Sequence, residues 1–394
     1  MKPRTLKENV FWMGAVEWDR RISDTLSPIA EGSSSNCYFI RGSEKTALLD
    51  TSSPSHTEAL LEQLNGIDSV DFIVAHNAQQ DHSGIIPDIL AIYENSMVIC
   101  TEQCSHMLIS HLGIKDSRIR IVQDDETLDL GGKTLQFVET PWLPWPETMC
   151  SFLQEDRIIF TCNFFSAHQA TSDLYAYDRV RNYPAAKRFY ADSLMPFRPM
   201  VKQNLLKIES LEPVIIAPGH GPVHYDPPFI LNAYKNWIED TPENSVIIPY
   251  ISIHGNTLKM VDFLVKELTS YNINVRPMDM RITDQATLAC SLVDAATVIL
   301  GSPTVHLGPH PIMVQTAYTI NSLRPKFLHL GMIGSYGWSS RMPDMLKNLL
   351  PDLNVQLLNP VLCRGMPAQY DYGLLEKLAE EIAEIHVEAN LIKY

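Results

Sequence analysis

Residues 246–268 read VIIPYISIHGNTLKMVDFLVKEL. A β-rich apolar run ends at Ile251, a short polar loop Ser252-Ile253-His254-Gly255-Asn256-Thr257 follows, and an amphipathic helical pattern begins at once. Strand, loop and helix N-terminus in that order make an anion site, because free backbone N–H groups, hydroxyls and the positive end of the helix dipole converge there. A phosphate fits such a loop. The loop is neither G-x-x-x-x-G-K-[ST] nor G-x-G-x-x-G, so a nucleoside triphosphate or dinucleotide is not its natural ligand. The competing reading is a capped helix start in which Asn256 or Thr257 merely satisfies orphan donors.

The surrounding rhythm favours the ligand. Apolar runs at 297–300 (TVIL) and 327–331 (FLHLG) alternate with amphipathic stretches at 256–270, 311–322 and 371–385, the mark of a parallel sheet with crossover helices. Two further polar loops follow these strands: one carries Ser302, Pro303, Thr304 and His306, the other Ser335, Tyr336, Gly337 and Trp338. Both fall at carboxyl ends of strands of one sheet, where open α/β folds bind their ligands. Tyr336 and Trp338 are placed to flank a flat heterocycle. Either aromatic alone reads as a packing residue, but three loops with the same placement do not.

Upstream, EDTPENS at 239–245 is polar and holds a proline, so it reads as a linker between domains 1–243 and 244–394. The first domain has another character. NCYFIRGSEKTALLDT at 36–51 is a hairpin signal, and short β-rich runs recur at 71–75, 97–101, 119–122, 134–139, 151–161 and 214–217, with helical patterns at His56–Leu64 and Ile86–Tyr93. Strands that outnumber helices and arrive in pairs predict an α+β sandwich.

The chain has 394 residues, two or three domains' worth at roughly 100–200 residues each. Its charge is uneven: 11 Lys/Arg against 13 Asp/Glu at 245–394, net −2, and 20 against 33 at 1–244, net −13. That acidity argues against nucleic acid or anionic membrane as a partner. Seven cysteines without a C-x-x-C pair exclude a disulfide framework or zinc ribbon, and no run of about 18 apolar residues occurs. A cytoplasmic protein is expected. There is no G-x-S-x-G, so no nucleophile-elbow hydrolase is indicated.

The three loops resemble those of a flavodoxin-like domain, in which the first holds the phosphate of FMN and the later two embrace the isoalloxazine ring. GAVEWDRR at 14–21, DHSG at 81–84, PWLPWPETM at 141–149 and APGHGP at 217–222 extend the resemblance over nearly the whole chain. Their order and spacing resemble the flavodiiron proteins. That resemblance implies a metallo-β-lactamase-like αββα sandwich carrying two irons, then a flavodoxin-like doubly wound domain with FMN. It also implies reduction of dioxygen or nitric oxide by a head-to-tail homodimer.

The family's first metal motif is His-x-Glu-x-Asp-His, and anchored on Asp81-His82 this chain has Asn77 for the His and Gln79 for the Glu. Pro144 stands where the family has a His before Trp-Pro, and Asn163 where it has the bridging Asp. Only Asp81, His82 and His220 remain of the seven ligands the resemblance implies. A zinc hydrolase needing His-x-His-x-Asp-His fails on the same positions. His76, one residue before the lost ligand, would point to the opposite side of a strand end and reads as structural. Neutral amides are weak iron ligands, and burying an unbalanced multivalent charge is prohibitive. The diiron centre is therefore expected to be absent.

The expectation is an FMN-dependent electron-transfer flavoprotein, alone or as a subunit of a larger redox complex, with the lactamase-like domain kept as a docking and dimerisation scaffold. An alternative is an oxygen or nitric oxide reductase using a single metal at Asp81, His82 and His220. The bland alternative has those three merely packing their loops. A non-redox binding module would require FMN to be absent. Electrons are expected from a separate redox protein or a fused domain outside this sequence, since the chain holds no rubredoxin-like cysteine pairs.

Overall fold

The computed structural model describes residues 2–23 and 28–392. The chain divides into two compact units, Met1–Ile238 and Glu239–Tyr394. The division falls a few residues before the expected 243/244, because the linker's polar residues join the second unit: the Glu239 carbonyl accepts from Lys326 Nζ at 2.8 Å and the Glu243 N–H donates to the Asp294 carbonyl at 2.8 Å.

The first unit is built on two sheets. One runs in the order β1 (Arg4–Lys7), β2 (Val10–Glu17), β3 (Ser33–Arg41), β4 (Thr46–Leu49), β5 (Phe72–Val74), β6 (Met97–Cys100) and β7 (Ile119–Ile121). It is antiparallel up to β4 and parallel from β4 to β7. The other holds β8 (Thr127–Asp129), β9 (Thr134–Glu139), β10 (Met149–Leu153), β11 (Ile158–Cys162) and β12 (Ile215–Pro218) in reverse order, with only β11 and β12 parallel. Side chains alternate across a strand, so β3 serves two cores. Tyr38 and Ile40 join Trp12, Phe137 and Phe160 between the sheets, while Cys37 and Phe39 face Leu60, Ile89 and Leu108 of the helices outside. On the far side helix 227–238 sets Tyr234 edge-on against Phe164 and Phe165, just past β11. The layers are helix, sheet, sheet, helix.

The second unit orders its parallel strands as β14 (Asn274–Asp279), β13 (Ser245–Tyr250), β15 (Thr297–Val305), β17 (His329–Tyr336) and β18 (Gln356–Leu357). A short β16 (Gly308–Pro309) turns back on β15, and β19 (Val361–Arg364) extends beside β17. Strand order 2-1-3-4-5 is that of a doubly wound flavodoxin-like sheet.

Two expected loops prove to be strand. Gly301–Pro303 pair with Ile333–Ser335, so β15 and β17 continue through the polar segments. Glycine permits this, because a Cβ on Gly334 would overlap the Ser302 carbonyl. The chain turns only at His306 and Leu307, both left-handed (φ 48° and 69°), as a two-residue hairpin requires.

Candidate functional site

In the second unit the carboxyl ends of β13, β15 and β17 enclose a cavity of about 290 Å³. Ser252, Ile253, His254, Asn256 and Thr257 line it from the first loop, Pro303 and Thr304 from the second, and Ser335, Tyr336 and Gly337 from the third. Gly365, at the end of β19, completes the wall and was not anticipated; it is held by its N–H bond to the Tyr336 carbonyl.

Four predicted residues stand elsewhere. Gly255 is the left-handed cap (φ 84°) that turns the chain into helix 256–270. Ser302 is fully buried and its hydroxyl accepts from the His310 N–H at 3.0 Å. His306 is carried off into the hairpin turn. Trp338, past the end of β17, is 77% exposed and leaves Tyr336 as the aromatic at the cavity wall. Nor do Asn256 and Thr257 cap the helix. Ser252 Oγ accepts the Leu258 N–H at 3.2 Å, and Thr257 Oγ1 meets Ser335 Oγ at 3.3 Å inside the cavity wall.

In the first unit the short helix 80–83 places Asp81 and His82, and the loop after β12 places His220. The Thr51 N–H and hydroxyl both donate to the His82 carbonyl, fixing the helix. The three side chains converge, with their ligand atoms within 4.8 Å of one another. His220 Nε2 lies 3.3 Å from Asp81 Oδ2 and its Nδ1 donates to the Ser34 carbonyl at 2.7 Å. His82 Nε2 is 3.7 Å from Asp81 Oδ2 and 3.1 Å from Asn163 Oδ1. The three side chains thus form one buried cluster, compatible both with a single metal and with the reading in which the trio only packs its loops.

Burial opposes charge on His220, but the hydrogen bond and charge of Asp81, with the Ser34 carbonyl, outweigh it and raise the pKa. His168, which the sequence reading passed over, has its ring 5.1 Å from that of His220 and its Nδ1 2.8 Å from Ser33 Oγ. Burial, then the neighbouring His220 charge, hold it well below the usual histidine range.

A cavity of about 240 Å³ reaches Gln79, Asp81, Pro144, Asn163, His168 and His220, and a groove of about 1130 Å³ bordered by Trp18, Arg20 and Trp145 opens over Gln79 and Asp81. Asn77 is turned inward, its Oδ1 accepting the Gln79 N–H at 2.6 Å.

His76 is structural, as its position predicts. Its Nδ1 meets Asp50 Oδ2 at 2.8 Å, its Nε2 meets Ser151 Oγ at 2.7 Å, and its N–H donates to Asp50 Oδ1. Asp50 is a second carboxylate near this site, one the sequence reading did not single out: it arrives just after β4, 3% exposed, and clusters with His82 and Cys162. Burial first, then Asp50 and Asp81, push the Cys162 thiol well above its ordinary value.

An αββα sandwich followed by a 2-1-3-4-5 doubly wound sheet with a loop cradle defines a two-domain class of lactamase-like and flavodoxin-like units. A family model described as ODP family beta lactamase matches residues 33–221. A nitric oxide reductase of Moorella thermoacetica is 28% identical over 97% of this chain and 100% of that protein. The structure of rubredoxin oxygen:oxidoreductase from Desulfovibrio gigas covers 99% of this chain and 100% of its own at 25% identity, with a TM-score of 0.94. The flavodiiron protein of Giardia intestinalis, at 22% identity and a TM-score of 0.90, covers 99% of this chain and 98% of its own and shares the fold. Over nearly its whole length the chain is thus similar in sequence to a nitric oxide reductase and in fold to a flavodiiron protein.

Proposed function

We propose that this chain is an FMN-dependent electron-transfer flavoprotein in which the family's diiron position does not hold two irons. The observation that carries this reading is the hydrogen bond from His82 to Asn163 at 3.1 Å. A histidine nitrogen aimed at the family's metal position is paired there with a neutral amide, where the family has a bridging carboxylate.

Asn77, Gln79, Pro144 and Asn163 supply no charge. Of the carboxylates that the family resemblance places around two irons, only Asp81 remains. The residues do not fit a diiron centre.

The second unit does fit FMN. The Ser252 and Thr257 hydroxyls and the first turn of helix 256–270 are suited to the phosphate, and Pro303, Thr304, Tyr336 and Gly337 to the ring. Bound FMN takes two electrons from a donor and passes them on singly, while the protein supplies position and electrostatics. Tyr336 would lie against the ring, and the paired β15 and β17 hold the cavity wall in register. The lactamase-like unit is a scaffold for a head-to-tail homodimer and for docking of a redox protein, whose basic surface would suit the −13 charge of residues 1–244. Cys37, Cys100, Cys104, Cys150, Cys162 and Cys363 are free thiols, which suits a reducing, cytoplasmic setting, and among the described residues no helix is long and apolar enough to cross a membrane.

A second reading, an oxygen or nitric oxide reductase with one metal at Asp81, His82 and His220, is favoured by the convergence of those three side chains. Cofactor content of the purified protein separates the two. Stoichiometric FMN with iron far below one equivalent is expected, and stoichiometric iron with rapid donor-driven oxygen or nitric oxide consumption would overturn the proposal.

A further inference from the structure

His82 also belongs to a second set of donors. Asp50, His82 and Cys162 each offer one ligand atom, all three within 4.8 Å of one another and all buried. The His82 imidazole is a member of both sets. Its Nε2 meets Asn163 and Asp81, whereas its Nδ1 is buried with no hydrogen-bond partner among the described residues. Buried ring nitrogens are ordinarily paired.

We propose that Asp50, His82 and Cys162 form a binding site for a single zinc-class divalent cation, distinct from the family's iron positions. Charge decides between the two sets. A carboxylate and a thiolate together cancel the two positive charges of such an ion, whereas Asp81 with two neutral imidazoles leaves one charge uncompensated in a dry interior. Ligand type points the same way. A thiolate, an imidazole and a carboxylate are all zinc ligands, and the sulfur disfavours magnesium, calcium and manganese.

The supports are in place as well. His76 donates to both oxygens of Asp50 through its N–H and Nδ1, and Ser151 fixes the other ring nitrogen of His76, so the carboxylate is oriented by outer hydrogen bonds. Each oxygen keeps a lone pair for a metal. The two Thr51 bonds to the His82 carbonyl hold the imidazole from its backbone. Binding exchanges the Cys162 S–H bond for a sulfur–metal bond and releases one proton to solvent, with no change of oxidation state.

The test is zinc K-edge X-ray absorption on the full-length flavoprotein, stripped with chelator and reloaded with one equivalent of Zn(II), a readout that bound flavin does not disturb. The expected spectrum has one sulfur scatterer at about 2.3 Å beside lighter ligands. Cys162→Ala should lose that scatterer and bind Zn(II) at least tenfold more weakly, while Cys150→Ala, on the neighbouring strand, and Asp81→Asn should keep it. A wild-type spectrum with nitrogen and oxygen ligands only, no uptake of Zn(II) by the wild type, or a sulfur scatterer that survives Cys162→Ala would each overturn the proposal.

Discussion

Ser151→Ala removes one oxygen from the interior of the first unit, and its cost follows from the hydrogen bonds around it. His76 donates from Nδ1 to Asp50 at 2.8 Å, which leaves Nε2 as an acceptor whose partner is the Ser151 hydroxyl at 2.7 Å. Both side chains are sealed, Ser151 at 0% and His76 at 0% exposure, so no water replaces the lost donor. A buried acceptor left without its donor costs about 1–3 kcal/mol. For a unit of this size each kcal/mol lowers the melting temperature by about 2–4 °C, so a loss of about 4–8 °C is expected near the middle of that range.

The tryptophans report the right transition. Trp12, Trp18, Trp142, Trp145 and Trp237 all lie in the first unit and only Trp338 in the second. Thermal unfolding followed by tryptophan emission should therefore shift, while release of flavin should not. Ser110→Ala is the control, since that hydroxyl donates to the Met107 carbonyl at an exposed position and its loss is worth no more than about 0.5 kcal/mol. A Ser151→Ala protein that melts with the wild type would refute the assignment of His76 as a core fastener.

Other outcomes test the remaining assignments. Replacing Ser252 and Thr257 together by glutamate should abolish flavin binding by placing negative charge where the phosphate is expected, and unchanged affinity by equilibrium titration would sink the loop assignment. Burial lowers His224 from 6.5 to about 4, against a smaller opposing pull from the Phe165 carbonyl. The unfolded chain therefore takes that proton first, and stability that is complete above pH 6.5 is lost as pH falls toward 4, by about 3 kcal/mol. His224→Gln should flatten the stability profile across that window; coincident profiles would contradict it. A Cβ on Gly219 would stand 2.6 Å from His82 Cε1 and 3.0 Å from the Cys162 carbonyl, so Gly219→Ala should cost about 1–3 kcal/mol in the first unit and leave flavin content unchanged. A wild-type melting curve for that variant would show that His82 has room to move.

Much of this was legible because the signals were local. The strand, loop and helix at 246–268 declare themselves by periodicity, and so do the crossover helices. The strand extensions at 301–305 and 334–336 were hidden because glycine, serine and proline read as loop, while the pairing that keeps them extended comes from distant strands. Position 50 carried a usable signal, an acidic residue directly after the apolar run TALL, at a strand end where ligands gather. His168 had none: FFSAHQ fits no ligand spacing, and only the fold brings it beside His220. The partnership of His76 with Ser151 spans 75 residues and two sheets, beyond any pattern in the chain.

That partnership has another consequence. Asp50, His76 and Ser151 stand in the order and at the separations of a serine-protease catalytic triad, carboxylate to Nδ1 and Nε2 to hydroxyl. A nucleophile needs an open face, and Ser151 has none. A search for enzymes by three-residue geometry would select this chain as an acyl-transfer catalyst, yet a fluorophosphonate should leave Ser151 unlabelled in the folded protein. The arrangement that elsewhere activates an alcohol here closes a core, and what separates the two uses is access to substrate.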